Sequence, residues 1–165
     1  MVKTEFLQSI KCFTKDAVKD MMLPTRIQSA NEEQGFRPAE VFLMRMPDMK
    51  APGKKAPYIL HQIVTAEDVQ PSGERDSSTL QMRSVFCVYS DDDQEGGMML
   101  LELMERWRVA LLRTRVLDRR FLLDLSVGGI QQIIYPDDTA PYFLGEMIST
   151  WTMPAVQRDI RPALE

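Results

Sequence analysis

The residues with the greatest capacity for chemistry stand together in "VFCVYSDDDQEGGMMLLELMER", residues 85 to 106, where three aspartates, a glutamate and two glycines precede a hydrophobic pattern of helical period. Counted from Asp91, the acids and the first glycine fall at positions 1, 3, 5 and 6, and Glu102 falls at position 12. That is close to the spacing of a calcium-binding loop. A small calcium- or ligand-binding module using Asp91, Asp93, Glu95 and Glu102 is therefore one reading. Two features oppose it: such a loop is entered from a helix, whereas "VFCVYS" reads as a strand, and Glu95 is bulkier than the Asp or Asn usual at its place. The other reading is structural. Ser90 or one of the aspartates caps the helix, the remaining acids meet the positive end of its dipole, and Gly96 and Gly97 permit a tight reversal.

Other reactive side chains are sparse. His61 is the only histidine, set in the alternating "YILHQIVT" with no cysteine close by in sequence. This excludes the usual zinc sets and disfavours a Ser-His-Asp constellation, and the alternation predicts a partly exposed strand residue. Cys12 and Cys87 lie far apart within apolar patterns, as reduced, buried thiols do. No nucleophile-base pair, cofactor loop or glycine-rich phosphate loop is visible, so neither an enzyme nor a cofactor is expected. Six arginines fall between Arg106 and Arg120, interrupted by Asp118 and flanked by Glu102, Glu105 and Asp124. Glu102 precedes Arg106 by four residues, and Arg113 and Arg115 lie where a helix C-terminus favours cations, a pattern that suits a solvated, salt-bridged face. A net charge of −4 argues against non-specific nucleic-acid binding, which depends on surplus Lys and Arg.

These residues need elements to position them. Phe6, Ile10, Phe13, Ala17 and Met21 recur at helical spacing, with Gln8, Lys11, Lys15 and Lys19 opposite, predicting a helix over 3–22 limited by Pro24. "AEVFLMRM" reads as a strand ending at Pro47, followed by an exposed loop, "PDMKAPGKKAP". "YILHQIVTAEDV" and "TLQMRSVFCVYS" read as two more strands, the second with Leu80, Met82, Phe86 and Val88 on one face. Leu100, Leu103, Met104, Trp107 and Leu111 form one stripe of a helix over 97–115. "RFLLDLS", "IQQIIYP" and "YFLGEMISTWTM" supply three further strands, and the tail 155–165 has no clear period. The order α-β-β-β-α-β-β-β predicts a single α+β domain over 1–165, with its core at 3–154 and two helices packed against one mainly antiparallel sheet of about six strands. The 165 residues are enough for one core, 44% apolar and 27% charged content suits a globular chain, and no apolar run predicts a signal peptide or membrane span.

On the second helix, Leu101, Val109 and Leu112 fall off the core stripe, amid Glu105 and Arg108. Apolar residues flanked by paired charges suit a subunit interface, and the 12 methionines fill irregular cores and adaptable interfaces equally well. The acids Asp91, Asp92, Asp93 and Glu95 at one end, with Arg113 and Arg115 at the other, are the charges for a head-to-tail contact between copies.

With this order of elements, the chain resembles the tail-terminator (tail-completion) proteins of long-tailed bacteriophages and prophages. The resemblance covers residues 3 to 154 and rests on "FLQSIKCFTKDAVKDMM", on the run from "YILHQIVTAEDV" to "MLLELMERWRVALLR", and on "IIYPDDTAPYFLGEMISTWTMP". It implies a structural virion assembly protein forming a ring, commonly a hexamer, that stops polymerisation of the tail tube and joins it to the head connector. The partners so implied are further copies, the major tail tube protein and connector proteins; the location is the virion's tail-head junction, and the host cytoplasm before assembly. The polar loops 47–56, with Lys50, Lys54 and Lys55, and 66–78, with Glu74 and Arg75, would reach neighbouring proteins.

Overall fold

A computed structural model describes residues 2–27, 29–47, 55–126, 128–136 and 140–157. The opening amphipathic pattern forms α1 (Val2–Val18), which buries Phe6, Leu7, Ile10, Thr14 and Val18. It ends short of the predicted residue 22 because the chain turns at Val18, whose carbonyl accepts the Met21 amide at 3.1 Å. Two short strands, β1 (Leu23–Pro24) and β2 (Phe36–Arg37), then pair with each other as a separate small sheet.

The main sheet has seven strands: β3 (Glu40–Leu43), β4 (Tyr58–Val69), β5 (Ser77–Tyr89), β6 (Val116–Leu117), β7 (Phe121–Asp124), β8 (Gln131–Ile134) and β9 (Tyr142–Met153). Their spatial order is β3-β4-β5-β9-β7-β6, and β8 also pairs with β9. The expected single, mainly antiparallel sheet of about six strands is thus corrected to a curled mixed sheet of seven, with a small sheet of two beside it. The mixed character arises at one place. Glu40–Leu43 pair in parallel with Tyr58–His61, because the stretch from Met44 to Pro57 is long enough to cross back to the same end of the sheet. Met44 starts that crossover at φ +64 and ends β3 well before Pro47.

Elsewhere neighbours in sequence do pair antiparallel: β4 with β5, β6 with β7, and β8 with β9. The C-terminal strand β9 lies along β5 from Ser78 to Tyr89, so the chain's end closes the middle of the sheet. On its other edge β9 carries β8 against Gly145–Ile148 and β7 against Thr150–Thr152. The link between β4 and β5 is confined to residues 70–76, shorter than the expected 66–78, and a register shift leaves Val64 as an extra residue in β4.

The helix-facing side of the sheet holds the main core. Leu80, Met82, Phe86 and Val88 all belong to it, as their alternation predicts, together with Phe6, Ile10, Trp107, Phe121 and Trp151. Phe6 is the hinge of the aromatic packing, 5.1 Å from Trp151 and 5.4 Å from Phe121 between ring centres. Burying one such ring removes on the order of 200 Å² of apolar surface, or about 5 kcal/mol before entropy is counted. A second, smaller cluster on the other face gathers Met46, Ala56, Tyr58, Leu60, Cys87 and Tyr89. Cys87 is buried there, and the loss of water pushes its thiol up to about 12. Cys12, expected to be buried, is exposed on α1 between core positions.

His61 departs most from expectation. It is fully buried, not partly exposed. Trp107 Nε1 donates to Thr14 Oγ1 at 2.9 Å, Thr14 Oγ1 lies 2.8 Å from His61 Nε2, and His61 Nδ1 lies 2.7 Å from Ser84 Oγ. The imidazole also stacks on Trp107 with centroids 5.4 Å apart. Both ring nitrogens are engaged, one donating and one accepting, as a neutral imidazole requires. Removal from water lowers its pKa to about 3. The chain of side chains ties α1, α2 (Asp93–Thr114), β4 and β5 together at one buried point, and no buried side-chain nitrogen or oxygen among the described residues lacks a partner.

Candidate subunit interface

The acidic turn resolves into separate local roles. Asp92 is the N-cap of α2: its carboxylate accepts the amides of Gln94 at 2.8 Å and Glu95 at 3.2 Å. Ser90 Oγ accepts the Asp92 amide at 3.1 Å, and the Tyr89 hydroxyl donates to Asp91 at 2.8 Å. Asp93 and Glu95 occupy the first helical turn, where the dipole favours anions. The helix therefore starts at residue 93, not 97, and the two glycines lie inside it, not in a reversal. Gly96 is needed for a different reason, since a Cβ there would stand 2.1 Å from the Phe143 ring on β9. Gly97 meets nothing within 4 Å.

The calcium spacing is not matched by a gathering of ligands. Glu102 sits lower on α2 and pairs with Arg106 at 3.3 Å. Among the described residues, no three His, Cys, Asp or Glu side chains come together as a metal-holding group.

Along α2, charges in the middle form ion pairs within the chain and, among the described residues, those at the ends do not, although Asp92 caps the helix, Asp91 accepts the Tyr89 hydroxyl and Arg115 Nε donates to the Leu112 carbonyl at 3.3 Å. Arg106 pairs with Glu102, and Arg108 pairs with Glu105, whose carboxyl is held below its ordinary range by that hydrogen bond. Asp91, Asp92, Asp93 and Glu95 at the start make no ion pair among the described residues, nor do Arg113, Arg115 and Arg119 at or just beyond the end. Arg115 closes the helix at φ +58, its amide bonded to the Leu111 carbonyl. Arg120 is taken by Glu5 at 2.7 Å and also lies over the Phe121 ring. Of the off-stripe residues, Leu101 is exposed, whereas Leu112 is partly buried against the chain's own core.

The loops expected to reach partners divide. Glu74 and Arg75 are exposed at the tip of the β4–β5 hairpin. Lys55 is anchored, because its carbonyl accepts Arg37 Nη2 at 2.7 Å, and the same guanidinium holds the carbonyls of Pro38 and Pro57. Lys50 and Lys54 lie outside the described residues.

Several surface residues escape a period-based reading. Met22 and Phe36 are each 58% exposed beside the start of α2, and Val116 and Leu122 face each other as exposed cross-strand partners near its end. Short strands and turns carry no periodicity, and the usable signal was only a bulky apolar residue in a polar stretch, such as Phe36 in "NEEQGFRP". On the outer face of the sheet, Arg83 and Glu146 neutralise one another at 2.5 Å. No described helix is long and apolar enough to cross a membrane. In comparisons with known proteins, no family model and no curated protein matches the chain.

Proposed function

We propose that the protein is a non-enzymatic virion assembly protein of the tail-terminator type, forming a ring, hexameric by that resemblance, that caps a tail tube and joins it to the head connector. The observation that carries the reading is the division of charge on α2, with acids that make no ion pair among the described residues at one end and arginines that make none at the other. A heterologous, head-to-tail contact needs two different complementary patches on each copy, and closed repetition of such a contact makes a ring. The acidic balance is compatible with a conduit that lets DNA pass without holding it. The exposed tip of the β4–β5 hairpin, with Glu74 and Arg75, is the surface offered to the tube and connector proteins.

Light scattering on the purified chain, together with an assay for capping of purified tail tubes, tests the proposal. A ring that stops tube growth is the expected result. A strict monomer that never associates with tube protein contradicts it. Titration with millimolar calcium is expected to give neither heat nor a melting shift, since a ligand bound by the folded state alone would raise stability.

A further inference from the structure

The charges at the ends of α2 each border an apolar feature, and the two features differ in shape. At the start of the helix, Met22, Phe36 and Met99 line a pocket of about 290 Å³ rimmed by Asp91 and Glu95. At the other end, the β6–β7 hairpin projects Val116 and Leu122, 43% and 46% exposed, beside Arg115 and Arg119. One feature is concave with an acidic rim, and the other is a small aliphatic knob with a basic rim. They are separated by the length of α2, whose 22 residues at 1.5 Å each span about 33 Å. That separation keeps a copy from satisfying its own pocket.

We propose that Val116 and Leu122 of one copy seat in the Met22–Phe36–Met99 pocket of the next, with Arg115 and Arg119 over Asp91 and Glu95. The proposal rests on the ring reading and supplies its apolar centre. Charge complementarity selects the occupant: the pocket's acids repel an acidic partner, and the knob carries the cations that they match. The pocket is at the small end for a drug-sized ligand and is suited to one or two aliphatic side chains. Methionine at its wall adapts to such a guest. Within the interface the knob should behave as a hot spot, and the surrounding charges should set orientation.

The test uses two single-defect variants of the whole chain, Leu122→Asp and Phe36→Asp. Both sites are exposed, so circular dichroism and melting are expected to match the wild type; should either variant misfold, Leu122→Ala and Phe36→Ala replace them. Each variant alone is expected to weaken self-association at least about tenfold. Mixed together they should recover a one-to-one dimer, because the first retains a working pocket and the second a working hairpin. Variants that assemble as the wild type does, or a mixture of folded variants that stays monomeric, would overturn the knob-and-pocket contact while leaving the ring reading in place. A wild-type chain that is monomeric at every concentration would instead remove the ring reading, and this contact with it.

Discussion

At the residue scale, two sites make opposite demands on the same kind of substitution. Gly96→Ala and Gly97→Ala both replace a glycine in the first turns of α2, where alanine is intrinsically favoured by about 1 kcal/mol. Only Gly96 faces the Phe143 ring, so overpacking should reverse the sign there, costing about 1–3 kcal/mol, while Gly97→Ala stabilises. Urea unfolding of the two variants checks the contrast, and equal effects would contradict the tight contact. His61 makes a pH prediction. Its folded pKa lies at about 3, below the roughly 6.5 of an exposed imidazole, so between these values the unfolded chain binds a proton that the folded chain excludes. Stability is then full above about pH 6.5 and falls with acidification, by up to about 1.4 kcal/mol per pH unit. Glu5, Glu105 and Asp124 have lowered values, so their losses come mostly below about pH 4.5 and do not mask the window. Melting curves between pH 5 and 6.5 should show the slope in the wild type and lose it in His61→Gln. None of this was legible from "YILHQIVT", because alternation assigns a face but does not reveal that Thr14, from a helix 47 residues away, will meet the ring there.

At the element scale, long periodic segments were readable and their ends were not. β4 occupies the predicted "YILHQIVTAEDV" in full, and the buried stripe of α2 is the predicted one. The start of α2 was misplaced because Gly96 and Gly97 resemble a turn, whereas the cap that sets the boundary is the Asp92 carboxylate. The parallel pairing of β3 was hidden for a related reason: sequence neighbours with polar links suggest hairpins, and only the length of the 44–57 crossover argues otherwise. The cap separates roles within "SDDDQE". Asp92→Ala should cost about 1 kcal/mol of stability, as loss of an N-cap does. Glu95→Lys, in the exposed first turn, should cost on the order of 1 kcal/mol by reversing a charge that the helix dipole favours, while weakening self-association far more than that loss explains. Calorimetry paired with sedimentation separates the two effects, and a Glu95→Lys chain that loses stability but still assembles would count against an interface role.

At the scale of the whole molecule, the α+β class and the presence of two helices were evident from the order of apolar periods, while the closure of the sheet by β9 depends on a partner strand more than fifty residues earlier and leaves no local mark. The candidate interface was legible in its charges and not in its apolar parts, since Met22, Phe36, Val116 and Leu122 come from short strands and turns. What the fold adds is the placing of two unlike patches at opposite ends of one rigid helix, the arrangement that head-to-tail association requires. The most direct test of that claim is the solution mass of the intact chain by light scattering across a range of concentrations. The expected result is a discrete multiple of the 19.0 kDa protomer, six in a hexameric ring, that dissociates in Glu95→Lys and reassembles when an Arg113→Glu, Arg115→Glu copy is mixed with it. A mass that remains that of one protomer at every concentration would contradict it.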